Sequence, residues 1–217
     1  NLFCLPINFN RTSFSNYRIL MKFKIFKFKK VTSTNDVAIN LIKNKKKEFG
    51  YVYAQTQTKG RGRYGRKWIS DKGNLFGTIF FQLKNNYPSF SEFTIINPII
   101  ISKVVSNFCS NKKITFKWPN DVLVNKKKIC GILQEIITKN SKKFLIIGIG
   151  LNLTSNPHTN NKYKATNIFS ESNKKPSIKK VINLIITSYE DFFVNLRNYN
   201  YKNFKKKIEK MAISKIA

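Results

Sequence analysis

Short apolar runs, rich in β-branched and aromatic residues, occupy the middle of this chain and constrain its fold more than any other feature. Residues 22–31 place Phe and Ile in near alternation with Lys, which is typical of a strand. Residues 75–83 are almost continuously apolar and predict a buried strand. Further strands are predicted over residues 51–55, 114–116, 122–124, 129–137 and 144–149, with a hairpin across Asn125, Lys126 and Lys127.

Helices are predicted between and after these strands. The first would be capped by Asn35 or Asp36, and the second would be kinked or begun near Pro98. Polar residues 154–175 indicate a mobile loop between the last strand and an amphipathic helix. Because helices and strands do not alternate strictly, the sequence predicts an α+β domain with a mixed, largely antiparallel sheet and flanking helices. The predicted helices include residues 37–42, 92–109, 176–196 and, as a basic helix-like stretch, 202–210.

The charge balance of the chain is compatible with polyanionic partners. Its 41 Lys and Arg against 10 Asp and Glu give a formal net charge of +31, which would attract nucleic acid, acidic protein or anionic lipid. Lysine is spread along the whole length, however, whereas a nucleic-acid site usually concentrates it on one face. We interpret the charge as compositional background and keep a basic nucleic-acid-binding module as an alternative.

The cysteine and histidine content argues against several classes of site. Cys4, Cys109 and Cys130 contain no C-x-x-C pair, so neither a disulfide framework nor a zinc site is indicated. With His158 as the single histidine, a Ser-His-Asp triad has little support, and a reducing compartment is the default. No apolar run approaches the ~20 residues needed to cross a bilayer, so no membrane association is expected.

The strongest local motif is the Arg/Gly loop, GRGRYGRKW, at residues 60–68. Its glycines allow close approach of the backbone to a ligand, and its arginines suit phosphate and carboxylate oxygens. Such a loop can hold two anionic groups together while they react. It matches neither the P-loop nor the dinucleotide fingerprint. Taken alone, it would equally suit an RNA-binding segment.

Two further motifs follow. The run KWPND at residues 117–121 ends in Asp121, which could help to hold Mg²⁺ beside a phosphate site, although Pro-Asn-Asp also favours a turn. Lys128 precedes small residues in an apolar strand and needs an anionic partner there, unless it is an edge lysine that reaches solvent. The run GIGLN at residues 148–152 would let a flat ligand pass close to the backbone, or form an ordinary turn.

Together these motifs resemble the biotin–protein ligase family, in the order and at the intervals of that family, over residues 31–152. The resemblance implies the biotin/lipoate ligase catalytic fold, which is similar to class II aminoacyl-tRNA synthetases. It also implies a two-step reaction with ATP and Mg²⁺ and no tightly bound cofactor. Biotin would form biotinyl-5'-AMP and then pass to a lysine of a biotin carboxyl carrier protein. The matching runs are STN at 33–35, Gln57, GRGR and GRKW within 60–68, KWPND, Lys128 with GIL at 131–133, and GIGLN.

The resemblance implies a role for each matching residue. Lys128, Arg61 and Arg63 would be catalytic, and Asp121 would support Mg²⁺. The residues implied to bind biotin are Ser33, Thr34, Asn35, Gln57, Gly60, Arg61, Gly62, Arg63, Lys128, Gly131, Leu133, Gly148 and Gly150. The residues implied to bind the nucleotide are Arg63, Arg66, Trp68, Asn120, Lys128 and Asn152.

The ends of the chain differ from those of many family members. Residues 1–20 are expected to be an N-terminal extension of unknown role, with an organellar presequence as a minor alternative to a cytoplasmic location. Residues 21–217 are expected to form the catalytic domain, without the N-terminal winged-helix domain or the C-terminal β-barrel. No specific DNA binding is therefore expected, and the oligomeric state is expected to be a monomer or weak homodimer. A lipoate–protein ligase and a decayed ligase without turnover are the remaining alternatives.

Overall fold

The computed structural model describes residues 22–157 and 164–213. Most of its strands fall where the apolar runs predict them, because β-branched and aromatic side chains pack well on a pleated sheet. The predictions that involve residues 1–20 and His158 lie outside the described residues. The strands are β1 Ile25–Val31, β2 Phe49–Gln57, β3 Leu75–Gln82, β4 Ile114–Lys117, β5 Asp121–Val124, β6 Lys127–Lys139 and β7 Lys142–Leu151.

These strands form one seven-stranded sheet in the order β1-β2-β3-β7-β6-β5-β4. Strands β1 and β2 are parallel, and each of the other neighbouring pairs is antiparallel. The mixed, largely antiparallel sheet predicted from the sequence is therefore confirmed. The parallel pair is joined through a helix, as a parallel connection requires.

Helices cover both faces of the sheet. Helix α1 packs Ala38 and Ile42 against Val52, Phe80 and Ile146 on one face. Helices α2 and α4 pack on the other face and build the larger core. Among the described residues, no helix is long and apolar enough to span a membrane. The helices are α1 Thr34–Lys45, α2 Phe90–Ser106, α3 Ile168–Ser172, α4 Ile178–Val194 and α5 Tyr201–Met211.

Two tight hairpins set the register of the central strands. Asn125 and Lys126 both adopt positive φ angles (49° and 64°) and join β5 to β6, which confirms the predicted hairpin with a shorter turn. Asn140 and Ser141 do the same between β6 and β7, with φ angles of 47° and 60°. Two central residues of positive φ match the right-handed twist of the flanking strands. As a result, Gly131 lies opposite Gly150, and Leu133 lies opposite Gly148.

Three local predictions are wrong. Ser33, not Asn35 or Asp36, is the N-cap of α1, because Asn35 turns its side chain toward the sheet instead. Helix α2 begins at Phe90 and not near Pro98, because Ser89 and Glu92 form a capping box at its start, and Pro98 lies inside the helix. Residues 164–175 are not an open loop: they contain α3 and the buried Thr166 and Asn167.

Candidate active site

A cavity of about 620 Å³ opens beside the N-terminus of α1 and above the glycine-containing ends of β6 and β7. This volume lies in the range of sites for small organic ligands. The sheet face beneath it is the one that α1 covers, since Gly148 lies two residues beyond Ile146 on β7. Glycine replaces large side chains at this point of the face, so the sheet leaves room for a ligand.

One wall of the cavity is a polar recess formed by Thr34, Asn35 and Gln57, and the fully buried Thr78 supports it from within the sheet. The Thr34 backbone N–H and hydroxyl donate to Gln57 Oε1, at 2.8 and 3.0 Å. The Thr78 hydroxyl donates to Asn35 Oδ1 at 2.6 Å. Asn35 also crowds Gly148, where a Cβ would lie 2.5 Å from Asn35 Oδ1. Since Thr34, Asn35 and Thr78 are buried, the recess presents fixed donors and acceptors.

Trp68 packs on a flat platform made by the opposed glycines Gly131 and Gly150. A Cβ at Gly131 would lie 2.5 Å from the Trp68 ring, and one at Gly150 would lie 2.4 Å from it. Both glycines had been expected to contact biotin, and the structure places them against the indole at the edge of the cavity. Because neither glycine has a side chain, Trp68 can pack directly on the sheet.

The Arg/Gly loop returns on itself as a small hairpin. The Gly62 N–H donates to the Arg66 carbonyl at 2.6 Å, and the Trp68 N–H donates to the Gly60 carbonyl at 2.8 Å. Tyr64 and Gly65 make the turn with positive φ angles of 56° and 70°. The hairpin presents Arg61, Arg63, Arg66 and Lys67 to the cavity. Positive charge is therefore concentrated on this wall.

Arg61 and Arg63 have different surroundings. The Arg61 guanidinium pairs with Asp36 and lies 3.3 Å from both carboxylate oxygens of Glu135. Burial lowers the pKa of Arg61, but the hydrogen bond to Asp36 and the charge of Glu135 outweigh burial and raise it. Arg63 donates to the Tyr64 hydroxyl at 2.9 Å and lies over its ring.

Lys128 reaches the cavity from β6. Its Nζ lies 2.8 Å from Asp121 Oδ1 and 5.2 Å from the centre of a Trp68 ring. Both side chains of the pair are largely buried, with 30% and 20% of their surfaces exposed. The anionic partner that the sequence required for Lys128 is therefore Asp121. Burial raises the pKa of the neighbouring Cys130 thiol well above its ordinary value, so this cysteine stays protonated.

The segment after β7 is anchored by two residues. Asn74 Oδ1 accepts hydrogen bonds from the backbone N–H groups of Leu153, Thr154 and Ser155, at 2.8, 3.1 and 3.3 Å. Asn152 donates from its side chain to the Thr166 carbonyl at 3.0 Å. Residues 164–166 also pair with Lys128 through its backbone N–H and carbonyl. The far wall of the cavity is thus tied to the strand that carries Lys128.

The structure brings nearly all of the predicted site residues together. Of the residues predicted from the sequence, Gly60 alone does not line the cavity: it lies behind the loop, where a Cβ would lie 2.7 Å from the Trp68 carbonyl. The predicted residues that line the cavity are Ser33, Thr34, Asn35, Gln57, Arg61, Gly62, Arg63, Arg66, Trp68, Asn120, Asp121, Lys128, Gly131, Leu133, Gly148, Gly150 and Asn152.

Sequence reasoning missed Asn74, Thr78 and Glu135. Asn74 and Thr78 carry no local signal, because Asn is common just before a strand and Thr is common within one. Glu135 does carry a local signal, because it is a carboxylate within an apolar run and the chain has 10 acidic residues in all. A carboxylate that interrupts such a run needs a cationic or hydrogen-bonding partner.

Comparison with known proteins agrees with this geometry. The sequence model of the biotin/lipoate A/B protein ligase family matches residues 26–152, which is more than half of the chain. The bifunctional ligase/repressor BirA of Bacillus subtilis (strain 168) is 27% identical over 188 residues. That match covers 84% of this chain and 58% of the relative, so the chain spans less than two thirds of the relative's length.

Two solved structures share the fold. Biotin protein ligase from Aquifex aeolicus, in complex with biotin and ATP, matches with a TM-score of 0.73 at 28% identity, over 88% of this chain and 78% of that one. Biotin protein ligase from Leishmania major, in complex with biotinyl-5-AMP, matches with a TM-score of 0.76 at 26% identity, over 89% and 84%. With the family's sequence pattern, its fold and a cavity built from the matching motifs, the chain belongs to the biotin/lipoate A/B protein ligase family.

Proposed function

We propose that this chain activates biotin with ATP and transfers it to a lysine of a biotin carboxyl carrier protein. In the first step an oxygen of the biotin carboxylate bonds to the α-phosphorus of ATP, and pyrophosphate leaves. In the second step the carrier amine bonds to the acyl carbon, and AMP leaves. The observation that carries the proposal is one cavity that joins a buried polar recess to a cluster of cations.

The polar recess supports biotin as the acid. The ureido group of biotin carries two N–H donors and one carbonyl acceptor, which complement the hydroxyl and amide groups of Thr34, Asn35 and Gln57 on the cavity wall. The dithiolane ring of lipoate has neither N–H nor carbonyl, so it could not exchange hydrogen bonds with these groups. A site built to hydrogen-bond a ligand rejects an analogue that lacks the bonding groups.

The spacing of the recess and the cations supports adenylation. Gly148, beside the recess, and Gly150, beside Trp68, lie two residues apart on the same face of β7, and Lys128 Nζ lies 5.2 Å from a Trp68 ring. At ~3.4 Å per residue the two regions are about 7 Å apart. An acid with its ring in the recess can therefore extend its carboxylate toward Lys128 and Arg63. Carboxylate and triphosphate repel each other, so positioned cations lower the barrier to their reaction.

Asp121 would supply a carboxylate to Mg²⁺ that arrives with ATP. Magnesium commonly takes one or two protein carboxylates and completes its shell with phosphate oxygens and water. Among residues 22–157 and 164–213, no three His, Cys, Asp or Glu side chains cluster as a metal site. The donor set therefore fits an ion held largely by the nucleotide, with Asp121 also fixing Lys128 at 2.8 Å.

The proposal is tested by exchange of labelled pyrophosphate into ATP, with Mg²⁺ and either biotin or lipoate. We expect exchange with biotin and none with lipoate. Exchange with lipoate alone would make the chain a lipoate ligase. Absence of exchange with both acids, together with tight, salt-sensitive binding of nucleic acid, would favour the basic nucleic-acid-binding module instead.

The variant Lys128→Ala tests the cation assignment in the same assay. We expect it to fold and to lose exchange by about 100-fold or more, because it removes one positioned charge from the reacting groups. Lys127→Ala is the matched control: it removes the same charge from the adjacent residue, whose side chain is 48% exposed. Equal rates for the two variants would exclude Lys128 from the chemistry.

A further inference from the structure

A cluster of charged and polar side chains ties the Arg/Gly loop to the rest of the domain. Arg61 of the loop contacts Asp36 in the first turn of α1 and Glu135 on β6. Glu135 also accepts a hydrogen bond from Asn35 Nδ2 at 2.5 Å. We propose that Asp36 and Glu135 hold the Arg/Gly loop over the cavity through Arg61, and that Arg61 is a positioning residue, not the catalytic one that the sequence predicts.

The charge balance of this Arg61 cluster supports the proposal. One guanidinium faces two carboxylates, so the sum of formal charges is −1. A ligand carboxylate or phosphate that approached Arg61 would meet a net negative group. Arg63, which contacts the Tyr64 ring and hydroxyl, and Arg66 also line the cavity, and these two loop arginines are placed to receive an anion.

The scarcity of acidic residues strengthens this inference. The chain has 10 Asp and Glu for 41 Lys and Arg, yet two of these acids converge on one arginine. About a third of each of the three side chains is exposed (35%, 39% and 32%), so water screens their attraction in part. Guanidinium–carboxylate pairs of this kind fix geometry as well as add energy.

The cluster also connects the loop to the polar recess. Glu135 binds Arg61 of the loop and Asn35 of the recess, and Asn35 in turn accepts from Thr78 at 2.6 Å. Glu135 therefore takes part in both processes: it contacts the recess through Asn35 and holds the loop closed through Arg61. When only the closed loop binds the acid, the apparent dissociation constant equals the intrinsic constant divided by the closed fraction.

The first test measures the loop without any ligand, by amide hydrogen exchange of peptides that cover residues 58–70. We expect Glu135→Gln and Asp36→Asn each to speed exchange about three- to tenfold, because each removes one charge-assisted contact to the loop. Glu48→Gln is the matched control, since it removes an exposed carboxylate paired with Lys142. Unchanged exchange in both cluster variants would overturn the proposal.

The second test rests on the proposed function and uses biotin-dependent pyrophosphate exchange. We expect Glu135→Gln to raise the KM for biotin about tenfold and to leave kcat within about twofold, since loop closure precedes the chemistry. If Arg61 instead bound the biotin carboxylate, Glu135 would compete with it, and Glu135→Gln would lower the KM. A wild-type chain without biotin-dependent exchange would refute the proposed function, while the ligand-free measurement would still decide the role of the Arg61 cluster.

Discussion

At the scale of single residues, Trp68 and the two glycines beneath it form the most demanding contact of the site. The indole lies on Gly150 so closely that a Cβ there would approach its ring to 2.4 Å. We expect Gly150→Ala to displace Trp68 and to destabilise the fold by about 1–3 kcal/mol, as overpacking usually does. Since Trp68 also lies beside Lys128, exchange activity should fall as well.

This prediction is checked by urea unfolding together with the tryptophan emission spectrum. A longer emission wavelength is expected, because the displaced indole meets more water. Gly62→Ala is the control for stability: its Cβ would lie 3.4 Å from the Arg66 carbonyl, which the loop can accommodate. If Gly150→Ala unfolded at the same urea concentration as wild type, the packing of Trp68 on this glycine would contribute nothing to stability.

Local motifs identified those site residues whose role follows from their neighbours in the sequence. Lys128 stood out because a cation in an apolar strand needs a partner, and the glycines stood out because they leave room. The contacts of Glu135 could not be predicted, since Arg61 and Asn35 lie 74 and 100 residues away in sequence. Such pairs depend on strand order and register, which the sequence pattern does not specify.

At the scale of elements, the start of α2 couples stability to pH. The Ser89 N–H donates to Glu92 Oε2 at 2.7 Å, and the Tyr199 hydroxyl donates to Glu92 Oε1 at 2.9 Å. Burial raises the pKa of Glu92, but these bonds and that from the Ser89 hydroxyl outweigh burial and lower it below 4.5. The ionised form is therefore favoured in the fold. Its contribution is present above pH 4.5 and is lost as the pH falls through the lower folded pKa.

We expect Glu92→Gln to lower the free energy of unfolding by about 1 kcal/mol at neutral pH, because a neutral amide replaces the charged acceptor of these hydrogen bonds. The difference from wild type should shrink as the pH falls below 4.5 and Glu92 itself becomes protonated. Urea unfolding at several pH values measures both effects, with Glu48→Gln as the control for loss of a surface charge. A difference that stayed constant with pH would mean that the carboxylate charge does not matter.

The elements themselves were largely predictable, whereas their ends were not. Strand β3 follows from its continuous apolar run and helix α4 from the helical period of its apolar residues. The start of α1 was predicted at the wrong residue because Asn is a common helix cap. In the structure the Asn35 side chain instead forms hydrogen bonds with Thr78 and Glu135. The hairpin at Asn140 and Ser141 was not predicted, because no glycine marks its two positive φ angles.

At the scale of the whole molecule, the net charge of +31 destabilises the fold. Like charges repel more in the compact state than in the extended chain, which lowers stability. Among residues 22–157 and 164–213, Asp and Glu side chains form six ion pairs with Lys or Arg. Since the chain has 10 Asp and Glu for 41 Lys and Arg, repulsion should exceed pairwise attraction.

Salt should therefore stabilise this protein, because it shortens the screening distance from about 30 Å in dilute buffer to a few ångströms. Between about 0.01 M and about 0.5 M NaCl we expect the Tm to rise by about 2–4 °C for each 1 kcal/mol of repulsion removed. NaCl and KCl should act alike at equal ionic strength, since screening does not depend on the identity of the cation. The same salt loosens exposed ion pairs, so hydrogen exchange in the Arg/Gly loop should speed up while the domain as a whole gains stability. A Tm that fell with salt would show that ion pairs such as those of Arg61 outweigh the repulsion of the excess lysines.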